Sequence, residues 1–230
     1  NNTDASQNSR AAFQKALAMN VYGSETDVWS TTDGHLVINH DPTIGRINIE
    51  TSTYDQIKDM KLKNGETLPQ LQDLLDILKA STSPTKMVLE MKEHSSDARN
   101  EEVAKAIVKA VKAAGVQDKV EFISFSLAGC KAFAKAATGT RVAYLKGGMA
   151  PAELHKDGIT GLDYNIAEFR DHPEWVKQAQ ELGMSTNVWT VDALKDMAEM
   201  TNLGIGFIST NKPQEALVIK AYYDEASKSN

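Results

Sequence analysis

The chain has 230 residues, of which 41% are hydrophobic and 24% charged. These are ordinary globular values that exclude general disorder and leave ample length for one large core. With 25 basic and 31 acidic residues the net charge is −6, a poor surface for general nucleic-acid binding. The single cysteine, Cys130, excludes an intramolecular disulfide framework and a Cys-based zinc cluster. No run of about 18 apolar residues is present to span a membrane, and the first ten residues, NNTDASQNSR, contain no signal-peptide core.

Ser9 to Met19 (SRAAFQKALAM) reads as a helix, and Val21 to Val28 (VYGSETDV) as a strand. Asp33-Gly34 signals a tight reversal, so His35 to Ile38 (HLVI) is expected to run antiparallel to that strand. Thr43 to Thr67 is polar and reads as an inserted excursion. Pro69 opens a helix, PQLQDLLDILKA, with its leucines on one face. Regular alternation follows. Strands are expected at 86–91, 120–126, 141–145, 161–165, 184–191 and 206–210, and helices at 100–114, 128–137, from Pro151, 173–182, 193–202 and about 213–226. Gly115 and Gly183 stop two of these helices.

Strands alternating with helices imply parallel pairing through right-handed crossovers. Counting 21–28 with the six later strands gives seven parallel strands, whereas a (β/α)₈ barrel needs eight. The expected fold is therefore a single α/β barrel domain over 1–230, with an insertion at about 43–67 after an antiparallel hairpin and its first strand upstream of Asn1. A doubly wound open sheet is the rival, and the lack of a Gly-rich phosphate loop after any strand weighs against it. No repeat, low-complexity segment or domain linker is visible.

Glu25 and Asp27 are two apart on a strand and face the same way. They are expected at its C-terminal end, just before the turn, where a barrel builds its active site. Two carboxylates so close resist joint ionisation unless a cation lies between them. Glu90 ends the next parallel strand, and Lys92 faces the same way two residues on. Three carboxylates and one lysine sum to −2. One divalent cation brings this to zero and leaves room for an anionic substrate. All-oxygen ligands favour Mg²⁺ or Ca²⁺ over Zn²⁺; acids facing solvent at strand ends are the plain alternative. His40, followed by Asp41, has the position of a general acid or base, or of a surface histidine. His35, His94, His155 and His172 receive no role, although His94 is near Glu90 and Lys92 in sequence. Trp189 closes the strand NVWTV, either as a wall for the carbon part of a ligand or as core packing. Trp29 and Trp175 read as structural, and Cys130 as a small buried hydrophobe.

The segments QNSRAAFQKAL, GSETDVWSTTDGHLVINHD, LPQLQDLLDIL, VLEMK, NVWTV and ISTNKP occur in that order. Together they resemble the glycerophosphodiester phosphodiesterase family of TIM-barrel enzymes, from about Gln7 to Pro213. The most specific piece is E-x-D-x₅-DG-x₄-NHD, Glu25 to Asp41, backed by E-x-K at Glu90 to Lys92. The resemblance implies hydrolysis of glycerophosphodiesters to glycerol 3-phosphate and an alcohol, with one divalent metal held by Glu25, Asp27 and Glu90. It implies that His40 is one of two acid–base histidines, that Lys92 helps to hold the phosphate, and that Trp189 lines the glycerol side. It also implies that the attacker is either water or the glycerol's own hydroxyl.

Three departures stand out. The family's His-Arg-Gly strand, carrying a second histidine and an arginine, is expected upstream of Asn1, where the strand count also puts the eighth strand. Gln7-Asn8-Ser9 stands where the family usually has Glu-Asn-Thr. Gly206 and Asn211 replace two aspartates of the terminal motif. Two alternatives stay open: a related phospholipid-cleaving barrel, disfavoured because 43–67 shows no apolar rim, and a non-catalytic barrel that binds a phosphorylated ligand.

Overall fold

The computed structural model describes residues 6–228, divided between two compact units, Asn1–Val142 and Ala143–Asn230.

The first unit opens on helix α1 (Arg10–Ala18), where Ser9 Oγ accepts from the Ala12 N–H and caps the first turn. Strand β1 (Gly23–Ser30) follows, then β2 (Leu36–Ile38), a hairpin of β3 (Thr43–Ile44) and β4 (Ile47–Asn48), the single turn α2 (Tyr54–Ile57) and helix α3 (Leu71–Ala80). Leu71, Leu74, Leu75 and Leu78 form one fully buried stripe on α3. Burial of each contributes about 2 kcal/mol relative to exposure. Strand β5 (Lys86–Met91), helix α4 (Asp97–Ala114), strand β6 (Val120–Ser124) and helix α5 (Leu127–Ala136) complete the unit. In its sheet β1 pairs antiparallel with β2 on one side and parallel with β5 on the other, and β5 pairs parallel with β6.

In the second unit β7 (Val142–Tyr144), α6 (Pro151–Lys156), β8 (Gly161–Asn165), α7 (Ile166–Asp171), α8 (Glu174–Glu181), β9 (Ser185–Trp189), α9 (Leu194–Leu203), β10 (Phe207–Ile208) and α10 (Pro213–Lys228) alternate. Strands β7, β8, β9 and β10 pair parallel in chain order. Gly161 sits where a Cβ would lie 2.4 Å from Ser185 Oγ and 3.0 Å from Ala143 Cβ, so only glycine lets β8 seat between its neighbours. Tyr164 packs in this unit's core, tilted against Phe169 and edge-on to Trp175.

Strand and helix order follow the sequence reading, with instructive differences. Strand β1 does not stop at Val28 before a turn. It runs on to Ser30, because Val28, Trp29 and Ser30 pair with β2 after pairing with β5 has ended at Val28. Helix α4 begins at Asp97 rather than Asn100, because Ser96 Oγ caps the Arg99 N–H. Helix α7 was not anticipated; Asn165 Oδ1 accepts from the Ala167 N–H and starts it directly after β8. The excursion is ordered: Ile44, Ile49, Ile57 and Leu68 form a buried cluster with Trp29 and Val37. Among the described residues no strand precedes α1; the expected upstream strand lies outside them.

Candidate active site

Parallel pairing sets Asp27 directly beside Glu90 and Glu25 beside Val88. With the two-residue alternation of a strand, Glu25, Asp27 and Glu90 then share one face. One carboxylate oxygen from each of the three lies within 4.8 Å of the others. Asp27 and Glu90 are buried, whereas Glu25 is exposed. Lys92, just past β5, turns its ammonium back onto the group, with Nζ 3.1 Å from Asp27 Oδ1 and 2.8 Å from Glu90 Oε1. Asn8 Nδ2 donates to Asp27 Oδ2 at 2.7 Å, and Asn8 Oδ1 accepts the Asp27 N–H at 3.0 Å.

One cation does not balance three carboxyls. Burial, then the Asp27 charge, pushes the Glu90 carboxyl up to about 7, against the pull of Lys92. Glu25 is raised well above the ordinary carboxylate range. Its outer edge is wetted, but the protein packed around the carboxyl desolvates it, and the charges of Asp27 and Glu90 add to the effect. Glu90 Oε1 is buried without a hydrogen bond, since the nearby Lys92 ammonium is in ion-pair contact but not aligned as a donor. Converging carboxylate oxygens with excess negative charge, one of them buried in ion-pair contact with Lys92, fit a hard divalent cation.

His40 is exposed, with Nδ1 2.9 Å from Asp41 Oδ1. That contact favours the tautomer with the proton on Nδ1. The loop is built to present it. The Asn39 N–H donates to the Asp27 carbonyl, and Asn39 Nδ2 donates to the carbonyls of Asp41 and Thr43. A charged His40 lowers the Glu90 pKa, so its field reaches the carboxyl group.

His94 is a structural residue despite its proximity in sequence. It is buried against Trp29, Nδ1 faces the Lys92 carbonyl at 2.8 Å, and Nε2 accepts the Ser30 N–H at 3.1 Å. Burial lowers its pKa, and this bonding holds the neutral ring. Trp29, Trp175 and Cys130 are buried, as read from the sequence. In the second unit Trp189 Nε1 donates to the Asp163 carbonyl at 2.8 Å, which fixes the indole plane. Asn211 Nδ2 donates to Asp192 Oδ2 at 3.0 Å; an aspartate there would set two carboxylates against each other. A Cβ at Gly206 would crowd the Thr186 carbonyl at 3.2 Å. Both departures in the terminal motif thus have local structural reasons. Sequence reasoning missed the grip of Asn8 on Asp27. Asn8 sits at φ 54°, in the left-handed region that asparagine tolerates, but the tertiary contact leaves no periodic signal.

Parallel strands alternating with helices define an α/β fold of the barrel type. The profile of the Glycerophosphoryl diester phosphodiesterase family matches residues 1–215, and the chain belongs to that family. A glycerophosphodiester phosphodiesterase from Parabacteroides distasonis is 38% identical, with a TM-score of 0.94 over 96% of this chain and 94% of that one. The glycerophosphodiester phosphodiesterase of Caldanaerobacter subterraneus is 25% identical over 224 residues, covering 90% of this chain and 89% of the relative. An Oleispira antarctica phosphodiesterase, solved with the product sn-glycerol-3-phosphate, is 19% identical and shares the fold, with a TM-score of 0.79 over 92% of this chain and 90% of that one.

Proposed function

We propose that this chain hydrolyses glycerophosphodiesters such as glycerophosphocholine to glycerol 3-phosphate and an alcohol, using one Mg²⁺ or Ca²⁺ held by Glu25, Asp27 and Glu90. The observation that carries the reading is the convergence of these three carboxylates, two of them paired in register across β1 and β5. A cation held there would polarise a phosphoryl oxygen and offset negative charge developing on the phosphoryl oxygens. Lys92 supplies a fixed positive charge for a further phosphate oxygen. Its stem is held between Asp27 and Glu90, so little side-chain entropy is lost when the substrate arrives. His40 exchanges a proton at Nε2 with the attacking hydroxyl or the leaving alcohol while Asp41 holds its other nitrogen. The attacker is water or the glycerol's own hydroxyl. Trp189, its indole anchored on Asp163, is the proposed wall for the glycerol carbons. The apolar residues of the excursion face its own buried cluster rather than outward, and no helix among the described residues is long and apolar enough to cross a membrane. The buried cluster favours a water-soluble diester over a bilayer lipid.

The test is release of glycerol 3-phosphate from glycerophosphocholine and glycerophosphoethanolamine, with EDTA and with added Mg²⁺ or Ca²⁺. Release abolished by EDTA and restored by either ion is the expected result. Full activity in excess EDTA removes the metal role, and no release from either diester under any metal condition overturns the substrate class.

A further inference from the structure

The three proposed ligands are not held alike. Glu25 is exposed and Glu90 touches the Lys92 ammonium, but Asp27 is gripped on both sides. Lys92 Nζ donates to Oδ1 at 3.1 Å and Asn8 Nδ2 to Oδ2 at 2.7 Å. The Asn8 amide also takes the Asp27 backbone N–H at 3.0 Å through Oδ1, so both ends of the amide are engaged with one residue. A flipped amide would oppose two donors at one end and two acceptors at the other, which fixes its orientation.

We propose that Asn8 is a positioning residue for the cation site, fixing the Asp27 carboxylate in its ligating orientation without neutralising it. This rests on the metal reading above and adds to it a residue that would not touch the ion. An amide suits the role better than a cation. With Lys92 as the one cation paired with them among the described residues, the three ionised carboxylates keep a net −2 for a divalent ion. A second ammonium or guanidinium at position 8 would hold Asp27 equally well but leave only −1. Each Asp27 oxygen receives one donor from these two residues, which leaves a further lone pair on each for the ion.

The platform beneath Asn8 is rigid. Ser9 caps α1, and its own hydroxyl donates to the Ser6 carbonyl. The N–H groups of Arg10 and Ala11 donate to the Glu66 carboxylate, and Arg10 Nη1 donates to the Thr67 carbonyl. The excursion thus anchors the turn that carries Asn8. The left-handed backbone at Asn8 aims its side chain at β1. Partners that orient metal ligands from behind typically account for about 10- to 100-fold in metal affinity.

Titration calorimetry of the intact protein with Mg²⁺ and with Ca²⁺ tests this. Asn8→Gly tolerates the left-handed backbone and deletes only the amide. Its metal Kd is expected to weaken by about 10- to 100-fold. The metal concentration for half activity should rise in parallel, while KM for glycerophosphocholine and kcat at saturating metal recover toward wild type. Asn8→Asp separates orientation from charge, because it adds a negative charge but turns an oxygen toward Asp27 Oδ2. It is expected to bind the ion more weakly than wild type. Ser9→Ala loosens the helix start that carries Asn8 but leaves the amide in place, and is expected to weaken the Kd less than Asn8→Gly does. A wild-type Kd in Asn8→Gly, tighter binding in Asn8→Asp, or equal weakening in Ser9→Ala each overturns the proposal. A wild-type protein that binds neither ion overturns the underlying metal reading instead.

Discussion

Strands β1, β5 and β6 carry two clusters of charge on one face, separated along β5 by Val88, and the two are balanced in opposite ways. Near the strand starts, buried Glu121 accepts from Tyr22 Oη at 2.5 Å, Lys86 Nζ at 3.0 Å and Arg141 Nη1 at 2.8 Å. Burial alone would raise its pKa, but the hydrogen bonds from Tyr22 and Arg141 overcome this and leave it low. Tyr22 pays in turn: burial and the Glu121 carboxylate push its phenol up to about 12. Toward the strand ends, Asp27 and Glu90 share Lys92, the Glu25 and Glu90 carboxyls are pushed up, and Glu90 Oε1 meets the Lys92 ammonium only as an ion pair. A carboxylate with surplus donors is part of the scaffold. Carboxyls clustered around one cation, two of them with raised pKa values, are functional-site candidates.

This contrast is broken most severely by removing a proposed ligand. Asp27→Asn keeps the size of the side chain and removes its charge, and should lower kcat/KM by at least about 10³-fold, the upper range for losing one electrostatic element of a transition-state site. Metal binding measured by calorimetry should vanish with it, while metal-free thermal stability holds or improves because one repelling charge is gone. A variant that turns over normally would place Asp27 with the scaffold. His40→Ala should cost at least about 10²-fold in kcat with an unchanged metal Kd, since His40 would move protons rather than hold the ion; an unaffected rate removes it from the mechanism.

The scaffold cluster should answer in stability rather than in rate. Glu121→Leu strands the Lys86 and Arg141 charges against apolar surroundings, at a cost of about 3 kcal/mol read from urea unfolding. The metal Kd and kcat should stay within about twofold, because additivity holds for sites without shared partners. Loss of metal binding in this variant would mean that the two clusters act as one.

The acid group was legible in the sequence because its geometry is periodic. Two acids at a two-residue spacing on one strand and a third at the end of the next must share a face once the strands pair. Parallel alternation was legible for the same reason, through apolar runs and glycine stops. The Glu121 network was not, because Tyr22, Lys86, Glu121 and Arg141 come from four separate chain segments that only tertiary pairing brings together. The inner cluster of the excursion escaped notice because Ile44, Ile49 and Ile57 follow no single period. His94 misleads in the opposite direction. It lies two residues from Lys92 in sequence, yet its ring turns away to bond the backbone beneath Trp29.

Acidity separates the two clusters with the smallest effect and with opposite signs. Glu90 titrates near about 7 when folded, against an ordinary 4.5. The folded metal-free protein therefore binds this proton more tightly than the unfolded chain does. Stability from Glu90 is full below pH 4.5 and lost as pH rises through 7, and Glu25 acts in the same direction. Glu121 is shifted below its ordinary 4.5, so its stabilisation is full above that value and lost as pH falls below it. A bound cation must displace the protons on Glu25 and Glu90, so its stabilising effect should be strong near pH 7.5 and weak near pH 5. At a hundredfold excess over Kd, the ion adds about 2.7 kcal/mol, a Tm gain of about 5–10 °C for a chain of this size. Thermal unfolding with EDTA or Mg²⁺ at the two pH values reads this directly. Glu90→Gln should flatten the neutral limb of the metal-free profile and leave the acid limb intact, and Glu121→Leu should do the reverse. Equal metal-induced gains at both pH values would show that the ion displaces no protons, and the raised carboxyls would then belong to the scaffold.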